Sequence, residues 1–156
     1  MAVAVLALLV SCASTTSDSG LGNARVKVVK PEIEIAQISS VPPAARHVQG
    51  GVPVQYAVRV GNRSRGTITL KSVTVVSMGV GAYDVESTSR PFSAKIEPDQ
   101  YEVVQFWVPA YVNLSTVMGA NGPVTLRAVF RFDSPDGQFQ EVIVRQVNAM
   151  PGRERQ

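Results

Sequence analysis

Val54-Gln55-Tyr56-Ala57-Val58-Arg59-Val60-Gly61 is the stretch on which the fold turns. Large apolar side chains stand at 54, 56, 58 and 60, and Gln55, Ala57 and Arg59 fill the positions between them. A period of two sends the first set to one face of an extended chain and the second set to the other. Residues 54–61 therefore predict a β-strand with one buried face. A helix would need its apolar residues near a 3.6-residue spacing, and no stretch of ten residues shows it.

The same period spreads outward. Upstream, Ile33, Ile35 and Ile38 alternate imperfectly with Glu32, Glu34 and Gln37 and predict a strand over 32–39; Pro42, Pro43, Gly50, Gly51 and Pro53 make the loop that follows. Downstream, Gly61-Asn62-Arg63-Ser64-Arg65-Gly66 reads as a turn. Residues 67–78 are mostly β-branched, and their apolar positions change parity between Leu70 and Val73, which predicts a bulge near Lys71 and Ser72. Gly79 and Gly81 break that strand; a short one is expected at 83–86 and another extended piece at 92–95, after Pro91. Strands at 101–108, 124–132 and 139–147 complete the set, the last two joined by the hairpin turn Ser134-Pro135-Asp136-Gly137.

About seven or eight short strands separated by turns make an all-β chain, a single antiparallel sandwich of two sheets. Over 96–108 an apolar residue is followed by a proline turn and then an alternating strand rich in aromatics. That order resembles bacterial Ig-like and fibronectin-type-III-like domains, and the resemblance in strand spacing covers most of residues 25–148. It implies an Ig-like sandwich of about seven strands. The strand, Asn turn, strand order over 58–73 also resembles the desiccation-associated sandwiches of plants and bacteria. Neither fold assigns a function by itself.

The amino-terminal end says where such a domain is expected to live. Residues 2–10 are an unbroken apolar run, long enough for the core of a secretory signal and less than half of the roughly 20 residues that span a bilayer. The run ends in Leu9-Val10-Ser11-Cys12, which resembles the lipobox of bacterial lipoproteins: a large aliphatic residue, a free position, a small residue, then cysteine. The resemblance implies that residues 1–11 are removed and that Cys12 becomes the first residue of the mature chain. Its thiol would carry a diacylglyceryl group and its amine a further acyl chain. Thiolate nucleophilicity explains why cysteine is needed there, and two or three acyl chains make a lasting anchor where one would not. Ser11-Cys12-Ala13 also suits ordinary signal cleavage, the competing reading. No Lys or Arg precedes the apolar run, so either the terminal amine supplies the positive charge or the frame begins upstream of Met1.

Residues 12–24 are rich in Ser, Thr, Gly and Asp and read as a flexible tether; residues 149–156 read as a disordered tail. Ala13 after the cysteine, where Asp would signal retention, points to the outer membrane of a two-membrane bacterium. Together these give a lipid-anchored envelope protein facing the periplasm or the cell surface.

Charge and chemistry narrow the function. Fifteen basic against twelve acidic residues leave +3, and the arginines are scattered, so no dense basic face for nucleic acid is expected. Beyond Cys12 there is no cysteine for a disulfide or thiolate site. His47, the only histidine, sits in the Pro/Gly-rich loop with no acidic residue beside it in sequence. Asp133 and Asp136 are explained by the turn they flank, and a calcium site would need six or more oxygens. Asp84, Glu86, Asp99 and Glu102 form no spaced carboxylate pair, and no nucleophile elbow or phosphate loop occurs. The chain is read as non-catalytic, with no metal and no cofactor. Asn62-Arg63-Ser64 and Asn113-Leu114-Ser115 match the glycosylation pattern, which in a bacterial lipoprotein is expected to be chance.

One feature points to a partner. On the 101–108 strand Val104, Phe106 and Val108 form one face, while Tyr101, Val103 and Trp107 form the other, followed by Tyr111 and with Tyr83 as a further candidate. Either this second face is open, making Tyr101, Trp107 and Tyr111 contacts for another envelope protein, or the first strand or the 79–92 loop covers it. The weak alternation of the strand favours covering. The leading function is a protein-interaction or assembly module; the alternative is a carrier with an enclosed site for a small hydrophobic or glycan ligand. The pattern sets no oligomeric state.

Overall fold

The computed structural model describes residues 29–39, 51–112 and 123–148, all strands, turns and connecting chain, with no helix among them. The elements are β1 (Glu32–Gln37), β2 (Val52–Gly61), β3 (Ile68–Ser77), β4 (Tyr83–Val85), β5 (Thr88–Ile96), β6 (Tyr101–Val112), β7 (Pro123–Ser134) and β8 (Gly137–Asn148). They form two antiparallel four-stranded sheets, β1-β2-β6-β4 and β5-β3-β7-β8, packed as an Ig-like sandwich. Among the described residues the strands number eight, where the resemblance implied about seven.

The alternation decides the core. Val54, Tyr56, Val58 and Val60 of β2 are buried, as are Leu126, Ala128, Phe130 and Phe132 of β7, while Arg59, Arg127 and Arg131 point out. Between the sheets Phe106 packs against Tyr56 (6.1 Å, tilted) and Phe92 (6.0 Å, edge-on), geometries that aromatic quadrupoles favour. The expected bulge is present: β3 shifts register between Leu70 and Ser72 against both its neighbours. That shift keeps Leu70 and Val73 both inside.

Two expectations change. The extended piece foreseen at 92–95 runs from Thr88 to Ile96 and includes Pro91. Proline is tolerated there because β5 is an edge strand and Pro91 lies opposite the bulge. Tyr83 is fully buried and is no part of a surface patch. Its hydroxyl donates to Oε1 of Gln37 and accepts from Tyr56 Oη at 2.7 Å, while Gln37 Nε2 reaches the Ser39 carbonyl at 2.6 Å. This chain satisfies three polar side chains inside the core.

The tyrosine pair predicts an alkaline weakness. Burial pushes Tyr83 from 10.0 up to about 12, and burial together with Tyr83 pushes Tyr56 further above the usual range. In the unfolded chain both titrate near 10, so above that pH the unfolded state loses protons that the folded state keeps. Stability is then full below about pH 10 and falls above it, by up to ~1.4 kcal/mol per pH unit per tyrosine. Urea melts at about pH 8 and about pH 11 are expected to show that loss in the wild type. The Tyr56→Phe/Tyr83→Phe double variant should show a much flatter profile.

Candidate functional site

The candidate contact residues all lie on β6, the strand between β2 and the short β4. Val104, Phe106, Val108 and Ala110 face the core; Tyr101, Val103, Gln105, Trp107 and Tyr111 face away from it. Trp107 is 48% exposed and Val103 52%. The covering reading of this face is therefore corrected. β1 hydrogen-bonds to the far side of β2 and widens the sheet, so it does not lie across it. The 79–92 segment follows the sheet edge: β4 pairs only with the end of β6, and β5 crosses to the other sheet. Weak alternation here reflects apolar residues on an open face.

The two tyrosines at the ends of this face are partly engaged with glycines of β2 and the residue before it. A Cβ on Gly61 would fall 2.6 Å from the Tyr101 ring, and one on Gly51 would fall 2.8 Å from Pro109 and 3.3 Å from the Tyr111 ring. Each aromatic thus covers backbone that a larger residue could not leave accessible, as when an aromatic rescues a strand glycine. Tyr101 is further held by cations. The Arg59 guanidinium sits 3.8 Å over its ring, and Arg63 donates to its hydroxyl and to Glu32 Oε2 at 2.9 Å. The Arg63 hydrogen bond holds the Glu32 carboxyl below the usual carboxylate range. All of these groups are well exposed, so the network organises the surface and contributes little stability.

Between these ends lie Val103, opposite Arg59, and Trp107, opposite Gln55; Gln55 Nε2 donates to Gln105 Oε1 at 3.2 Å. The result is an open strand face whose middle holds Val103 and Trp107 on either side of the Gln55–Gln105 pair, with arginine and glutamate at one end and proline and tyrosine at the other. Arg90 of β5 donates to the Trp107 carbonyl at 2.9 Å and so occupies one main-chain acceptor on the open side of β6.

Asn62 has a role that sequence reading did not assign. Only 1% exposed, it donates through Nδ2 to the carbonyls of Gly66 (2.8 Å) and Ile96 (2.9 Å), and its Oδ1 accepts from Ser64 N and Oγ. Its backbone N donates to Gln100 O and its carbonyl accepts from Asp99 N. The signal available was Asn two residues before Ser in a turn, which favours a side chain bonded to its own backbone. The turn was legible, and the reach to Ile96 and Gln100, far along the chain, was not. Buried and bonded in this way, Asn62 is no glycan acceptor.

The remaining candidates separate. Asp133 faces Lys71 at 3.8 Å, and among the described residues no three metal-ligating side chains cluster. A surface depression of about 490 Å³ is lined by Lys71, Arg131, Asp133, Gln138 and Gln140 together with Phe132 and Phe139; its lining is mixed and it is open to solvent, unlike an enclosed apolar pocket. Cys12, the 1–11 leader, the 12–24 tether, His47, Asn113 and the 149–156 tail lie outside the described residues.

Set against known protein families the sequence finds no match, and it finds none among curated proteins. Solved structures are similar in fold. A structural-genomics target aligns with a TM-score of 0.52 at 10% identity, over 80% of this chain and 89% of its own. A Bordetella pertussis protein carrying the provisional name ApaA aligns at 0.49 and 14% identity, over 78% and 93%. A PapD-like domain of human CEP192 aligns at 0.39 and 10%, over 98% and 99%. The likeness is one of fold alone.

Proposed function

We propose that this chain is a lipid-anchored, non-catalytic module of a bacterial cell envelope whose sandwich binds another envelope protein through the outer face of β6. The observation that carries the binding half is Trp107. A large indole left 48% exposed in the middle of an open strand face is costly to solvate and is the residue type most enriched at binding hot spots. The Ig-like fold suits such a role, since it presents broad sheet faces. The anchoring half rests on Leu9-Val10-Ser11-Cys12 at the end of an apolar run, and the outer-membrane placement on Ala13.

Each half has its own test. Mass spectrometry of the mature amino terminus is expected to find a peptide starting at Cys12 and carrying acyl mass. A mature chain that starts elsewhere, or keeps a free thiol, overturns the anchor. For the face, a photo-reactive amino acid at position 107 is expected to cross-link an envelope protein in living cells, whereas the same probe at Arg131, on the outer face of the other sheet, is not. Equal labelling from both positions removes the case for this face.

A further inference from the structure

The two edges of the second sheet are built differently. β5 is guarded as edge strands usually are: it contains Pro91, carries Arg90 and Lys95, and lies beside the bulge of β3. β8 shares only the charge, with Glu141 and Arg145, and has neither the proline nor the bulge. It is a 12-residue edge strand without proline or lysine, and its ladder to β7 runs unbroken from Gly137 to Asn148. A bare edge of that length is a template for another strand.

Its hydrogen-bond parity is set by the hairpin. Ser134 and Gly137 flank a two-residue turn and so form a hydrogen-bonded pair. Alternating from there, the odd residues of β8 address β7, and Gln138, Gln140, Val142, Val144, Gln146 and Asn148 present their main-chain groups to the open side.

The sequence of that strand is chemically palindromic about Ile143. Read outward from it, Val142 matches Val144, Glu141 matches Arg145, Gln140 matches Gln146, Phe139 matches Val147 and Gln138 matches Asn148. We infer that β8 pairs antiparallel with β8 of a second copy of this chain, with the two-fold axis at Ile143, joining two sheets into one of eight strands. In this register every even residue faces an even residue, as the open main-chain groups require. Glu141 meets the partner copy's arginine twice across the axis, and Val142 and Val144, 43% and 56% exposed in the single chain, cover each other. Among the described residues of one chain Glu141 pairs with Lys30 at 3.5 Å. A two-fold interface must be complementary to itself, and a palindromic strand satisfies that condition. This inference concerns a different surface from the β6 face and stands independently of the proposed function.

The test is a charge exchange, read by sedimentation equilibrium of the full chain in density-matched detergent. The wild type is expected to have twice the mass of one chain. Glu141→Arg and Arg145→Glu each place two like-charge pairs across the axis and should raise the dimer Kd by about tenfold; the double variant restores opposite charges and should recover wild-type affinity. Circular dichroism checks folding, and Arg145, being exposed, offers a second variant if Glu141→Arg fails to fold. A monomeric wild type up to the solubility limit overturns the inference. So does a dimer that survives both single substitutions, or single-variant losses that the double variant does not restore.

Discussion

Trp107→Ala is expected to leave the fold standing and to weaken recognition sharply. The indole is half in solvent, and its neighbours on the outer face, Val103 and Gln105, do not depend on it for burial. Its removal should change unfolding free energy by less than about 1 kcal/mol, as at most exposed positions. Binding should respond very differently. A central aromatic anchor contributes 2 kcal/mol or more when truncated, so Kd for the partner cross-linked at this site should rise by about 30-fold or more. A thermal melt and a binding titration on the same variant separate the two effects. Val103→Ser, a smaller side chain on the same face, should give a smaller loss, and Arg131→Ala on the opposite face none. If Trp107→Ala melts well below the wild type, the indole belongs to the fold and the binding proposal fails.

Asn62→Ala should produce the larger structural loss. Its side chain makes four hydrogen bonds, and the Ile96 carbonyl, reached by Nδ2 at 2.9 Å, lies in a buried setting. With Asn62 Oδ1 gone, the single Ser64 hydroxyl proton is free to serve the Gly66 carbonyl 2.8 Å away, so Ile96 is the group left worst off. Leaving a buried carbonyl unpaired and losing the Asx turn together cost about 3 kcal/mol, on the order of 15 °C in Tm for a domain of this size. Asn62→Asp should be at least as harmful at neutral pH, because it sets a carboxylate against the two carbonyls that Nδ2 serves. Lowering the pH should recover part of the loss as the carboxyl gains a proton to donate. Arg63→Ala, one residue on and exposed, should cost under about 1 kcal/mol. Thermal melts of the three variants across pH decide the matter; an Asn62→Ala melt equal to that of Arg63→Ala would show that the buried bonds are dispensable.

Taken alone, Trp107→Ala identifies a surface and Asn62→Ala identifies a corner of the fold. The functional proposal depends on the first, and the second shows that the Asn62-Arg63-Ser64 motif has a structural explanation.

What the sequence determined by itself was everything that follows from local geometry. A strand sends alternate residues to opposite faces, so Val54, Tyr56, Val58 and Val60 had to share a side, and a parity change between Leu70 and Val73 had to be taken up by a bulge. The turn at Ser134-Pro135-Asp136-Gly137 was equally local, and Gly137 does adopt a φ of 117° there. Tertiary structure alone decided what each face meets. Parity places Tyr101, Val103 and Trp107 on one side of β6 but cannot say whether another layer lies over them; that depended on β1 joining the edge of β2 and on β5 crossing to the other sheet. Tyr83 went inside because its hydroxyl finds Gln37 and Tyr56, 46 and 27 residues away. β8 became an edge because strand order among the described residues, set by pairings distant in the chain, gives it β7 as its one hydrogen-bonded neighbour. Period and turn chemistry are short-range properties, whereas covering, edges and buried polar partners are made by contacts between residues far apart in sequence, and only the folded chain brings those together.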